Sequence, residues 1–166
     1  LGIAVVAMSG RFPQAEDTNK FWQNLKDGVE SISFFSEEEL LESGVQAELL
    51  NNPNYVKARA MMSDIDMFDA SFFSYSRKEA ECIDPQQRLF LECAWEAIEK
   101  GGYDPETYEG LIGVYAGSGM NHYLLRNLYP SLDYNNQLNS YQLMINSDKD
   151  FLATRVAYKL NLIGPA

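Results

Sequence analysis

Side chains that commonly carry catalysis are scarce in this sequence. There is one histidine, His122, and there are two cysteines, Cys82 and Cys93. A single histidine builds neither a catalytic histidine pair nor a histidine-rich metal site. Alone in a loop or at a helix start, His122 reads as a polar surface residue or a pocket rim. The cysteines have neither zinc-site spacing nor the numbers of a disulfide framework, which suits a reducing, cytoplasmic compartment. Cys93 falls on the apolar face of a predicted helix, where a small buried hydrophobe is its default role. Cys82 sits two residues before a predicted helix cap, a place that can lower a thiol pKa. A buried, inert role is still the better reading for both thiols. No metal site is expected.

Other absences narrow the field further. No apolar run approaches membrane-spanning length, and no signal peptide opens the chain. Positive charge is in short supply, with 13 Lys and Arg against 24 Asp and Glu and a net charge of -11. Such a field repels phosphate backbones and anionic lipid, so the reading is no nucleic acid and no membrane. Gly117-Ser118-Gly119 invites a phosphate-loop reading. However, the Walker spacing is missing, position 122 is His rather than the third glycine of G-x-G-x-x-G, and no Gly-x-Ser-x-Gly elbow exists. Close backbone packing beside a pocket accounts for it better. Asp64, Asp66 and Asp69 are separated by residues too apolar for a calcium loop, which leaves capping and turn roles. Glu37-Glu38-Glu39 reads as a solvated helix face.

What is present is the material of a globular α/β domain. The 166 residues are 46% hydrophobic and 13% aromatic, enough for one domain with a sizeable core. Ile3–Ala7 is short, apolar and β-branched, and predicts a strand buried on both faces. Asp17 is placed to cap a helix over Thr18–Asp27, with Gly28 past its end. Ser36 with Glu39 fits a capping box opening a short helix that stops near Gly44. Tyr55–Met61 predicts a strand, and Asp64–Phe73 an ordered but irregular stretch held by its aromatic residues. The clearest helix spans Pro85–Lys100, with Asp84 as N-cap, Pro85 in the first position and Gly101 just past the end. Its Gln86, Gln87, Glu92, Glu96 and Glu99 read as the polar side. Leu111–Ala116 is another apolar run. Further helices are expected around His122–Leu128 and from Ser147 to Leu160. Strands alternating with helices argue for an α/β fold. No internal repeat or interior linker is visible, so the chain reads as one unit.

Four stretches, in order, resemble the β-ketoacyl synthase domains of modular type I polyketide synthases. The opening Ile3-Ala4-Val5-Val6-Ala7-Met8-Ser9-Gly10-Arg11-Phe12-Pro13 is similar to the family's first strand and its Arg-Phe-Pro turn. Asp66-Met67-Phe68-Asp69-Ala70-Ser71-Phe72-Phe73 resembles its D-x-FDA-x-FF segment. Asp84-Pro85-Gln86-Gln87-Arg88-Leu89-Phe90-Leu91-Glu92 matches its DPQQR-x-x-LE helix opening. The run from Asp150 through Leu160 to Gly164-Pro165 resembles the helix before the active-site cysteine. Any one motif is moderately specific, and the four in sequence are highly so.

The resemblance implies a thiolase-like fold of layers helix, sheet, helix, sheet, helix. Residues 1–166 would be the N-terminal part of the domain, cut at both ends and covering most of the first half. It implies a homodimer in the cytoplasm, working with an acyl carrier protein and an adjacent acyltransferase domain. The activity implied is that of an acyltransferase performing decarboxylative Claisen condensation, with a cysteine nucleophile and two histidines supporting the oxyanion. No cofactor is bound directly, and the carrier's phosphopantetheine enters as the substrate arm. The catalytic cysteine and histidines are expected beyond Ala166, so no catalytic residue is assigned within the chain, and residues 1–166 alone are expected to be inactive. The resemblance also places Met120 near an acyl pocket, and Tyr141, Met144 and Phe151 at a dimer contact. The alternative is a non-catalytic dimerisation or docking element, or a condensation-silent relative. The residue standing in the cysteine's place would decide between them.

Overall fold

The computed structural model describes residues 2–131 and 140–166, and only the backbone of residues 131, 140–142 and 144. The chain divides into two compact units, Gly10–Ser63 and, together, Leu1–Ser9 with Asp64–Ala166. No change of composition marks this division in the sequence.

The Gly10–Ser63 unit begins with a tight reversal. Phe12 and Ala15 exchange backbone hydrogen bonds of 2.8 and 3.0 Å across Gln14, which adopts a left-handed φ of 55°. Helix α1 (Thr18–Lys26) is capped by Asp17, whose carboxylate accepts from the Lys20 N–H at 2.7 Å. The left-handed φ of 64° at Gly28 ends it, as its position in the sequence implied. Phe21 of α1 stacks on Phe12 with centroids 4.1 Å apart, and the buried Asn24 donates to the Gln14 carbonyl at 2.9 Å. Strand β1 (Ile32–Phe34) pairs antiparallel with β2 (Ala58–Ala60). Helix α2 (Glu37–Glu42) opens with the complete Ser36–Glu39 capping box, and a single-turn α3 (Ala47–Leu50) follows. The strand predicted over Tyr55–Met61 is therefore present but shorter, and β1 and α3 lacked any clear periodic signal.

The second unit has an aromatic-lined core. Phe73, Leu91, Val114, Val156 and Leu160 are buried together, with Phe68, Tyr75, Trp95 and Ile98 packed against them. Asp64–Phe73 is irregular as expected and tied down by its rings. Phe68 stacks on Phe73 at 5.4 Å, and Phe72 meets Trp95 edge-on at 5.1 Å. Asp69 has the turn role its setting implied. Its carboxylate accepts from the Phe72 N–H at 3.0 Å and the Ser71 hydroxyl at 2.8 Å, and the Phe72 bond leads in holding its pKa below the ordinary value. Helix α4 (Arg77–Cys82) carries a second capping box, Ser76 with Glu79. The Ser-x-x-Glu spacing that signals it stands in the sequence, but no long apolar periodicity follows to draw attention to it. Helix α5 (Pro85–Lys100) has the predicted bounds and cap. Its C-terminal glycine pair is offset by one residue from expectation, since Gly101 keeps a helical φ of -73° and Gly102 takes the left-handed one, 75°.

Four expectations are corrected. Ile3–Ala7 forms no strand. Ile3 is fully exposed, Val5 is 78% exposed, and among the described residues no backbone group pairs with residues 3–8. An apolar β-branched run expresses a demand for burial, whereas a strand exists only where neighbouring backbone supplies the ladder. Leu111–Ala116 is likewise irregular, with only Val114 buried and its N–H donating to the Pro165 carbonyl at 2.8 Å. A Cβ at Gly164 would run into the Ile112 carbonyl, so this crossing admits only glycine. The helix predicted over Ser147–Leu160 is two pieces. Ser147 closes α6 (Ser140–Ser147), Asp148 caps a short 3-10 turn (Lys149–Phe151), and α7 (Leu152–Lys159) follows. Gln87, expected on the polar side of α5, is only 2% exposed.

Candidate functional site

Ionic and amide side chains converge where the first turns of α5 meet α6 and α7. The Gln87 amide donates to the Asp148 carbonyl at 2.9 Å and accepts from Arg155 Nε at 2.8 Å. Arg155 also donates to the Tyr75 hydroxyl at 3.3 Å and to the Ile145 carbonyl. Beside it, Lys159 lies 3.6 Å from the Tyr75 ring centre and donates to the Ser74 carbonyl at 3.1 Å. Burial pushes the Lys159 ammonium pKa down. This network is structural: it satisfies a buried amide and joins three helices.

A loop of residues 117–121 runs to the N-terminal end of α5. The Gly119 N–H donates to Gln86 Oε1 at 3.1 Å, and the Asn121 amide donates to the Ser147 carbonyl. Ser147, itself buried, donates its hydroxyl to the Cys82 carbonyl at 3.4 Å. The loop leads into a helical segment whose central part, Leu124–Leu128, is a π-helix, close to the helix predicted over His122–Leu128. The Tyr123 hydroxyl donates to the Glu81 carbonyl at 2.7 Å, and the buried Arg88 guanidinium stands 6.0 Å from its ring centre.

The predicted site residues fall as follows. Met120 lies in this loop and is 69% exposed. Phe151 is half-buried at the end of the 3-10 turn. Tyr141 and Met144 belong to α6, and their side chains lie outside the described residues. The Cys82 thiol is buried, and desolvation, helped by Glu81, lifts its pKa above the ordinary 9.0. A thiol so placed stays protonated at neutral pH and is a poor nucleophile. Cys93 is half-buried on α5. A separate apolar concavity of about 410 Å³ is lined by Val6, Ala97, Ile98, Tyr103, Tyr108 and Leu111. Met120 is not part of its wall. Among the described residues, no three His, Cys, Asp or Glu side chains gather as a metal site, and no helix is long and apolar enough to cross a membrane.

The capped helix opening Asp84–Arg88 is one of the motifs by which the sequence resembles the β-ketoacyl synthases. Residues 2–166 match the β-ketoacyl synthase N-terminal domain, and the chain is a member of that family. Among its relatives, a phenolphthiocerol/phthiocerol polyketide synthase of Mycobacterium tuberculosis is 46% identical over 170 residues, covering 99% of this chain and 11% of that protein. Polyketide synthase PksN of Bacillus subtilis is 37% identical over 166 residues, covering 99% of this chain and 3% of its own length. Of solved structures, ketosynthase twelve from the bacillaene polyketide synthase in Bacillus amyloliquefaciens superposes with a TM-score of 0.82 at 38% identity. It covers 98% of this chain and 28% of the other. The module 1 ketosynthase of the bacillaene synthase from the same organism gives 0.79 at 36%, with the same coverage. The fold is therefore α/β of the thiolase-like ketosynthase class, and the chain spans about a quarter of the length of those domain structures.

Proposed function

We propose that this chain forms the N-terminal part of a polyketide synthase ketosynthase, an acyltransferase that joins carrier-protein-bound acyl units by decarboxylative Claisen condensation. The single observation behind this reading is the match of residues 2–166 to the β-ketoacyl synthase N-terminal domain. In that reaction a cysteine takes the acyl group from a carrier's phosphopantetheine thioester and releases the carrier thiol. Decarboxylation of the extender then releases carbon dioxide and yields the carbanion, which attacks the enzyme-bound thioester and displaces the cysteine thiolate, while two histidines stabilise the oxyanion. The buried, protonated thiol of Cys82 and the helix-face position of Cys93 support assigning the nucleophile to neither. The cysteine and the histidines are assigned outside residues 1–166. The partners on this reading are an acyl carrier protein, an acyltransferase domain and a second copy of the polypeptide, all in the cytoplasm. Met120 borders the acyl pocket, and Tyr141, Met144 and Phe151 belong to the dimer contact.

The test compares the full-length gene product with residues 1–166, each incubated with a radiolabelled acyl carrier protein. The expected result is acylation of the full-length product and none of residues 1–166. Stable, stoichiometric acylation of Cys82 or Cys93 would sink the assignment of the nucleophile. A full-length product that takes up no acyl group would sink the function.

A further inference from the structure

Three side chains, distant from one another in sequence, take up the carbonyls at the end of α6. Asn121 donates to the Ser147 carbonyl, Arg155 to the Ile145 carbonyl, and Gln87 to the Asp148 carbonyl just past the helix. The last four carbonyls of a helix have no partner within it, and a left-handed glycine commonly closes that end. Here the next residue is Asp148, with an extended backbone at φ -74° and ψ 132°, so no glycine stop is present. The stop is supplied instead by side chains of α5, α7 and the 117–121 loop. Ser147 is 2% exposed and Ile145 is half-buried, so water is a poor substitute for these partners.

These bonds close two rings that share the end of α6. In the first, the Ser147 hydroxyl donates to the Cys82 carbonyl at 3.4 Å, at the end of α4, and the Tyr123 hydroxyl donates to the adjacent Glu81 carbonyl at 2.7 Å. Asn121 completes this ring through the Ser147 carbonyl, and its amide oxygen accepts from the Leu124 N–H at 2.8 Å. In the second, Arg155 Nε donates to Gln87 Oε1 at 2.8 Å, and the two side chains reach the Ile145 and Asp148 carbonyls on either side of Ser147. A member of such a ring is still held by its neighbours when one bond breaks. Segments joined in this way open as a unit rather than one at a time.

We propose that the end of α6 is a conformational latch: the two rings open and close together, so that Arg155 on α7 steadies the segment 121–124, with which it shares no bond. Coupling of this kind is reciprocal, and whatever steadies one side steadies the other by the same factor. In the full-length gene product, hydrogen exchange is followed at three amides. Leu124 donates to Asn121 Oδ1, Phe151 donates to the Asp148 carbonyl at 3.3 Å, and Asp27, at the end of α1, donates to the Gln23 carbonyl at 3.0 Å and serves as the control. Arg155→Met breaks the second ring and is expected to speed exchange at Leu124 about tenfold, the factor carried by one charge-assisted hydrogen bond. Asn121→Ala breaks the first ring and should speed exchange at Phe151 about fivefold, the factor of one neutral bond. Exchange at Asp27 should stay at the wild-type rate in both variants. Asn121 is only half-buried in a loop, so Asn121→Ala decides the matter if Arg155→Met does not fold. Wild-type exchange at Leu124 in a folded Arg155→Met protein, or at Phe151 in Asn121→Ala, overturns the latch. Equal acceleration at Asp27 overturns it as well, because the whole fold would then have been weakened.

Discussion

Cys82 and Tyr123 illustrate how a residue's surroundings set its chemistry. Burial raises both pKa values, Cys82 above its ordinary 9.0 and Tyr123 above its ordinary 10.0. In each case the folded state favours the protonated form. Their contribution to stability is therefore complete below the unfolded pKa and is lost as pH rises through the folded one. Denaturant midpoints from these two groups should be flat below about pH 9 and fall above it. Cys82 should also alkylate with iodoacetamide far more slowly at pH 8 in the folded chain than in urea. Equal rates would show that the thiol is open to solvent. Gln87 is a second case. Replacing it with Leu leaves the half-buried Arg155 Nε and Asp148 carbonyl without that partner. Because one of those bonds is charge-assisted, Gln87→Leu should cost about 3 kcal/mol in a denaturant melt. A cost near zero would mean that water replaces both partners.

Among the elements, α5 has the most complete set of local signals. Asp84 caps it, Pro85 fills the first position, and a left-handed Gly102 follows its last turn. Asp84→Ala removes the acceptor for the Gln86 N–H and should lower stability by about 1 kcal/mol. An unchanged midpoint would show that the cap contributes nothing measurable. Helix α4 is shorter and depends more on its capping box. The Ser76 hydroxyl and backbone N–H together hold the Glu79 carboxyl below its ordinary 4.5. A depressed carboxylate pKa stabilises the fold above the unfolded pKa, and that stabilisation is lost as pH falls through the folded one. Glu79→Gln should therefore flatten the acid limb of the stability profile below about pH 4.5. If the limb keeps its slope in Glu79→Gln, other carboxylates carry it.

At the scale of the whole molecule, the unit built from residues 1–9 and 64–166 exposes an unusual amount of apolar surface. Ile3, Val5, Val6, Leu111, Tyr115 and Ile163 are all largely solvated. Apolar surface of more than a few hundred Å² drives association. The net charge of -11 opposes it, but screening limits that repulsion to about 8 Å at physiological salt. Residues 1–166 alone should therefore self-associate at low micromolar concentration in sedimentation runs, and more so as salt is raised. A monodisperse monomer with sharp, dispersed amide signals would show that this surface is tolerated without a partner.

Local chemistry was legible from the sequence wherever the partners of a residue are its own chain neighbours. Asp17, the Ser36–Glu39 box, Asp84 with Pro85, and Gly28 were all readable, because a cap or a left-handed turn closes within a few residues. The four motif stretches were legible too, and with them the ketosynthase family. Tertiary structure decided everything whose partner is distant in the chain. Gln87 looks like a surface amide until Arg155 and Asp148 arrive beside it, and Gly164 looks like a turn signal until Ile112 crosses it. Ile3–Ala7 has the composition of a strand and no ladder to join. Composition records a preference for burial, but a strand is a pairing, and pairing is a property of two segments brought together by the fold.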